Sequence, residues 1–117
     1  MKMTENQKTV SDVVRMTGAG LHTGVDVSLS ICPADAKTGI KFKRVDLENS
    51  PIINADVDNV TDVERGTTIS QNNASVSTVE HLLAALTGLG IDNCVIEVNA
   101  PEVPIMDGSS LPFIQAI

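Results

Sequence analysis

The sequence predicts an α+β fold in which a mixed or antiparallel sheet carries two helices packed on one face. Residues 25–31 alternate aliphatic with polar side chains, which is the period of a half-buried strand. Residues 77–88 instead repeat their apolar positions at helical spacing. A length of 117 residues suits one compact domain, so we expect a single domain over residues 1–117.

Further strands are predicted on both sides of the helical segment. Residues 40–43 alternate like residues 25–31 and follow a turn-forming segment at 35–39, so the two strands should form an antiparallel pair. Residues 93–98 are a dense aliphatic run, which is typical of a central strand. Weaker strand patterns cover residues 9–16, 51–57 and 67–70.

Two helices are expected in the second part of the chain. The apolar positions of the first follow the i, i+3, i+4, i+7 rule at Val79, Leu82, Leu83 and Leu86. Gly88 can end this helix in a left-handed conformation. Ser110 could cap the second helix, with Pro112 in its first turn. That helix reaches Ile117 without a stop signal, so we expect the chain to be cut there.

Charge and composition exclude several classes of protein. The net charge is −7, and residues 46–117 hold one Lys or Arg against eleven acids, so a nucleic acid partner is excluded. Cys32 and Cys94 lie in apolar runs, which predicts two buried free thiols in a reducing compartment. Neither a signal segment nor the ~18 apolar residues of a membrane span is found, so we expect a soluble, cytoplasmic protein.

The first helix opens with a carboxylate and an imidazole, Glu80 and His81, outside its apolar stripe. Ala84 and Ala85 also fall outside that stripe, which suggests a second surface that another element could approach. An imidazole that ligates a metal and a carboxylate that takes a proton from water would suit metal-assisted hydrolysis. Alternatively, Ser77 and Glu80 have the spacing of a capping box, in which the glutamate serves only the helix end.

Two glycine-containing segments can be explained as turns that have no role in binding. The three glycines of residues 18–24 suggest a phosphate loop, but a strand follows them where that loop requires a helix. They are better explained as a tight connection between strands, with His22 as a turn residue. Asp107 and Gly108 precede the second helix, and a plain turn explains them too.

Five segments together resemble one enzyme family. They read Gly-Leu-His-Thr-Gly at 20–24, Ser-Thr-Val-Glu-His-Leu at 77–82, Gly-Leu-Gly-Ile-Asp-Asn at 88–93, Ile-Glu-Val-Asn-Ala-Pro at 96–101 and Pro-Ile-Met-Asp-Gly-Ser at 104–109. In this combination the chain resembles the UDP-3-O-acyl-N-acetylglucosamine deacetylases of lipid A biosynthesis. The resemblance implies a ribosomal protein S5 domain 2-like fold and the N-terminal half of a two-domain enzyme.

The resemblance also implies the chemistry of the site. It makes His81 a zinc ligand and Glu80 the general base for hydrolysis of the N-acetyl group of a UDP-linked acylated glucosamine. Leu21 and His22 match a substrate-binding loop near the cleft, and Asp107 matches an aspartate close to the site.

The remaining zinc ligands of the family lie in its C-terminal domain, so we expect this chain alone to be inactive. A non-catalytic binding module that keeps the fold is the alternative. An exposed cleft face around Ala84 and Ala85 would further predict self-association of the chain.

Overall fold

A computed structural model describes residues 7–63 and 66–117, so the expected absence of a signal segment at the start of the chain lies partly outside the described residues. The strands are β1 Val14–Ala19, β2 Asp26–Pro33, β3 Ile40–Arg44, β4 Ile52–Asn54, β5 Val60–Asp62, β6 Thr68–Gln71, β7 Ala74–Val76 and β8 Cys94–Val98. The helices are α1 Glu80–Gly88 and α2 Leu111–Ala116, and a 3₁₀ helix covers Val57–Asn59. The predicted α+β class is confirmed.

The main sheet has the order β1-β2-β8-β3-β4, with β8 antiparallel to β2 and parallel to β3. The central place of the aliphatic run at 93–98 is therefore confirmed. The predicted antiparallel pair of β2 and β3 is wrong, because β8 lies between them. The turn before β3 is held to β8 instead: the Asn93 side chain accepts a hydrogen bond from the Gly39 N–H (2.8 Å), and the Cys94 N–H donates to the Gly39 carbonyl (3.1 Å).

A second sheet of three strands, β5-β6-β7, was not expected as a separate layer. The weak pattern at 51–57 contains β4, and the pattern at 67–70 covers all of β6 except its last residue, whereas the pattern at 9–16 overlaps only the start of β1. The β6–β7 hairpin turns at Asn72 and Asn73, which both have positive φ (55° and 60°). A two-residue hairpin turn of type I′ requires two left-handed residues, and asparagine tolerates that conformation.

Both helices contribute to one apolar core on the same side of the main sheet, as predicted. Its members include Val27, Leu29, Ile31, Phe42, Ile96 and Val98 from the sheet, and Leu82, Leu86 and Phe113 from the helices. Pro112 lies in the first turn of α2, and Ser110 precedes the helix without a side-chain capping bond. The core therefore fixes α1, and with it the residues at its N-terminus.

The interpretation of the α1 surface needs one correction. Ala85 is fully buried in the core, so it does not belong to the second surface predicted for Ala84 and Ala85. The helix begins at Glu80; its buried positions are Leu82, Ala85 and Leu86, and Leu83 is only partly buried. Ala84 is exposed. Self-association through this surface stays a prediction that now rests on one of its two alanines.

Both cysteines are free thiols, as predicted, but only Cys94 is buried, and Cys32 is half-buried. Burial raises the pKa of Cys94 to about 11 and also raises the pKa of Cys32. Both thiols are therefore protonated near neutral pH. Among residues 7–63 and 66–117, no helix is long and apolar enough to cross a membrane.

Candidate functional site

Helix α1 starts three residues later than the sequence pattern indicates. Thr78 has a left-handed backbone (φ 61°), and Val79 occupies the N-cap position without a side-chain capping bond. The Ser77 hydroxyl is hydrogen-bonded to the Thr68 hydroxyl (2.9 Å), and the Ser77 N–H donates to the Pro101 carbonyl (2.9 Å). The capping-box explanation of Glu80 is therefore wrong, since the N–H that it would bind already has another acceptor.

The two carboxylate oxygens of Glu80 have different surroundings. Oε2 accepts a hydrogen bond from the Thr67 N–H at 3.1 Å, whereas Oε1 is buried with no hydrogen-bond partner. Gly66 passes close by with φ +95°, and a Cβ there would lie 3.3 Å from Oε2. A buried carboxylate oxygen without a partner is uncommon in native proteins and often has a catalytic or binding role. One oxygen of Glu80 is thus held in place, while the other is left without a hydrogen bond.

Thr78 shows the same feature two residues earlier. Its hydroxyl oxygen is buried without a hydrogen-bond partner, and its positive φ is rare for a β-branched residue. Such a conformation costs about 1–3 kcal/mol and persists only where the surroundings impose it, which is frequent at functional sites. Strain and two unsatisfied oxygens within residues 78–80 point to the start of α1 as a functional site.

His81 follows Glu80 directly and is half-buried. No hydrogen bond to its ring is formed with the described residues, so a ring nitrogen is free to ligate a metal ion. Within residues 7–63 and 66–117, no group of three or more His, Cys, Asp or Glu side chains could hold a metal. His81 can accordingly be one ligand of a metal site, but the described residues do not complete that site.

The glycine loop is a tight connection between β1 and β2, as predicted. The Gly24 N–H donates to the Gly20 carbonyl (3.0 Å), and the Gly20 N–H donates to the Val25 carbonyl (2.9 Å). Leu21 is 56% exposed, and His22 is also exposed. Both predicted substrate contacts therefore lie at the tip of a short, closed loop.

Glu102 is the site residue that sequence reasoning missed. It is 1% exposed, and its carboxylate accepts hydrogen bonds from the His22 N–H (3.0 Å) and the Thr23 N–H (2.7 Å). Together these residues line a cavity of ≈ 250 Å³, whose walls also include Asp62, Thr68, Ser75, Ser77 and Pro101. A single acid between Pro101 and Val103 in an apolar run could have signalled a carboxylate with hydrogen-bond partners. An acid that such a run buries needs partners to replace its water.

Opposing effects act on the pKa of Glu102. Burial raises the pKa, but the hydrogen bonds from the His22 and Thr23 N–H groups and the Thr23 side chain outweigh this effect, and the electrostatic interaction with His22 lowers the pKa further. The pKa therefore lies below its ordinary value near 4.5. Hydrogen bonding to the charged form of a carboxylate has this effect.

The lowered pKa predicts how stability depends on pH. A folded pKa below the unfolded value means that the ionised carboxylate stabilises the fold above pH ~4.5, and that this contribution is lost as pH falls through the folded pKa. Thermal unfolding from pH 7 to pH 3 should show a steeper loss below pH ~4.5 for wild type than for Glu102→Gln. An equal loss of stability below pH ~4.5 in the two proteins would contradict the lowered pKa of Glu102. Asp46, whose pKa is lowered by its side-chain hydrogen bond to Arg44, titrates in both proteins, so its contribution cancels in the comparison.

A second, larger depression of ≈ 600 Å³ is lined partly by Arg44 and Ser75. The Arg44 guanidinium is buried, and each of its three nitrogens donates one hydrogen bond, two to the Asp46 oxygens (2.9 and 2.8 Å) and one to the Ser75 carbonyl (2.8 Å). No predicted site residue lines this depression, and we assign it no function.

Asp107 lies in an exposed turn before α2. Its Oδ1 accepts hydrogen bonds from the Ser109 N–H (2.9 Å) and the Ser109 hydroxyl (2.6 Å). These bonds support the plain-turn explanation, and Asp107 is not among the residues that line the cavity beside Glu102. Its role near the site stays a prediction.

The fold and the site together define an α+β domain that presents an acid and an imidazole, Glu80 and His81, at the start of a helix. A family model described as LpxC, UDP-3-O-acyl N-acetylglycosamine deacetylase, matches residues 7–117. The chain therefore belongs to this deacetylase family.

Similar proteins cover nearly the whole chain. It is 54% identical over 92% of its length to a UDP-3-O-acyl-N-acetylglucosamine deacetylase of Methylococcus capsulatus, and 50% identical over 95% to one of Geobacter sp. (strain M21). A bifunctional enzyme LpxC/FabZ of Porphyromonas gingivalis is 50% identical over 97% of the chain. The chain spans 36% of each of the first two relatives and 24% of the third.

Proposed function

We propose that the full-length protein that carries this chain is a zinc-dependent deacetylase, which hydrolyses the N-acetyl group of UDP-3-O-acyl-N-acetylglucosamine in lipid A biosynthesis. The observation that carries this proposal is the Oε1 of Glu80, which is buried without a hydrogen-bond partner in the residue that directly precedes His81. The names of the relatives supply the substrate and the reaction.

Glu80 is the general base of this proposal. Its Oε1 takes a proton from the attacking water, whose oxygen bonds to the acetamide carbonyl carbon. When the C–N bond breaks, its electron pair goes to the sugar nitrogen, which takes up a proton, so that acetate and an amine are released. The Thr67 N–H holds Oε2, so the carboxylate does not have to be ordered during the reaction. This division of work between the two oxygens explains why one is hydrogen-bonded and the other is not.

His81 would supply one ligand to the zinc ion. A metal ion held there would supply a Lewis acid that polarises the acetamide carbonyl. The other protein ligands would come from outside the described residues, since these hold no cluster of three ligating side chains. We therefore propose that this chain alone is inactive, and that Leu21 and His22 contact the substrate from the β1–β2 loop.

The proposal is tested by acetate release from UDP-3-O-acyl-N-acetylglucosamine. The full-length protein should release acetate, lose this activity when a chelator removes its metal, and regain it with Zn²⁺ but not with Mg²⁺, which prefers oxygen ligands. The chain of 117 residues should release none under the same conditions. Full activity of the metal-free protein would contradict the zinc requirement, and no release by the zinc-loaded protein would contradict the reaction.

A further inference from the structure

Glu102 is a buried carboxylate for which the proposed reaction has no use. Unlike Glu80, it has both oxygens engaged, Oε1 by the His22 N–H and Oε2 by the Thr23 N–H. Burying a carboxylate costs several kcal/mol unless hydrogen bonds replace its water. With both oxygens accepting backbone bonds and a lowered pKa, Glu102 is poorly suited to take a proton during a reaction. Its chemistry is that of a fixed anion that orders a loop.

The backbone of Glu102 is joined to the approach of α1. The Ser77 N–H donates to the Pro101 carbonyl (2.9 Å), and the Val103 N–H donates to the Ser77 carbonyl (3.0 Å), which forms a parallel bridge between Ser77 and Glu102. Ser77 immediately precedes the strained Thr78. Glu102 therefore connects the loop that carries His22 to the segment that leads into Glu80 and His81.

Gly20 shows how closely the loop fits this carboxylate. A Cβ at Gly20 would lie 2.6 Å from the Glu102 Oε2 and 2.5 Å from the Thr23 hydroxyl oxygen. Real Cβ atoms essentially never make contacts this short, so a side chain here would displace the loop or the carboxylate. Gly20 itself is buried. The glycine is thus explained by close approach to Glu102, and no phosphate is needed to account for it.

We propose that Glu102 is a positioning residue: its carboxylate holds the N–H groups of His22 and Thr23 so that His22 stands at the cavity in a fixed relation to the start of α1. This inference rests on the proposed function, in which His22 contacts the substrate. Glu102 acts on the substrate only through His22, so removing its charge should weaken substrate binding more than it slows the chemical step.

The test uses Glu102→Gln in the full-length protein. Glutamine keeps the size of the side chain but has one acceptor oxygen, so one of the two N–H groups loses its acceptor. We expect KM to rise about tenfold, kcat to fall no more than about threefold, and zinc content to stay unchanged, because losing a charged hydrogen bond costs of the order of one tenfold step in binding. Glu97→Gln, the same chemical change at a half-buried position of β8, is the matched control and should leave both constants near wild type.

A double-mutant cycle with His22→Ala separates positioning from a general loss of structure. If Glu102 acts through His22, adding Glu102→Gln to His22→Ala should change KM less than about twofold. Effects that multiply in the double variant would overturn the proposal. If Glu102→Gln does not fold, Gly20→Ala serves as the second variant, and its rise in KM should likewise vanish in the His22→Ala background.

Failure of the positioning role of Glu102 can be distinguished from failure of the proposed function. A wild-type protein that releases no acetate would contradict the function, and the cycle would then be measured as the Kd of the UDP-linked acylated glucosamine by calorimetry. A non-additive change in Kd would still support positioning by Glu102. Independent effects on Kd would overturn it while leaving the assignment of Glu80 unaffected.

Discussion

Glu80→Gln in the full-length protein should lower kcat for acetate release by about 10²- to 10⁴-fold, the usual contribution of a general base. Glutamine can still accept the Thr67 N–H bond that now reaches Oε2, so the side chain should keep its place. What it loses is the ability of Oε1 to take a proton from water. KM should change little, because the substitution removes a group that acts in the transition state.

The control for this prediction is the metal content of the same variant. Because Glu80 is not proposed as a ligand, Glu80→Gln should retain zinc at the wild-type level, and so should Glu97→Gln, which should also keep its activity. Near-normal turnover of Glu80→Gln would refute the role of general base. A loss of activity accompanied by loss of zinc would show instead that Glu80 helps to hold the metal.

Gly66 offers an explanation of how Glu80 is kept in its position. With φ +95° and a potential Cβ contact of 3.3 Å to Oε2, the chain at Gly66 runs directly beside the carboxylate. That approach brings the Thr67 N–H within hydrogen-bond distance of Oε2. The geometry of the base therefore depends on the segment before β6 as much as on the helix that carries Glu80.

The elements whose signal is local were predictable from the sequence. The alternation at 25–31, the aliphatic run at 93–98 and the helical spacing at 77–88 each correspond to an observed element, β2, β8 and α1. Periodicity shows which face of an element is apolar, but it does not identify the neighbour that covers that face. For this reason the pairing of β2 with β3 and the exposure of Ala85 were predicted wrongly.

The site was predictable only in part for the same reason. Glu80 and His81 are adjacent in sequence, and the resemblance to a family marked them. Glu102 binds residues that lie 80 and 79 positions earlier, so no local pattern connects it to the loop at 20–24. The unpartnered oxygens of Thr78 and Glu80 depend on tertiary burial and could not be inferred from spacing.

The metal content of His81→Ala tests the central claim most directly, with His22→Ala as the matched control because these are the two histidines of the chain. Loss of an outer partner of a metal ligand costs about 10- to 100-fold in affinity, so loss of the ligand itself should cost more. After dialysis against a buffer with a fixed free Zn²⁺ concentration, metal analysis of the full-length protein should find zinc in wild type and His22→Ala and almost none in His81→Ala. Wild-type zinc content in His81→Ala would contradict the account.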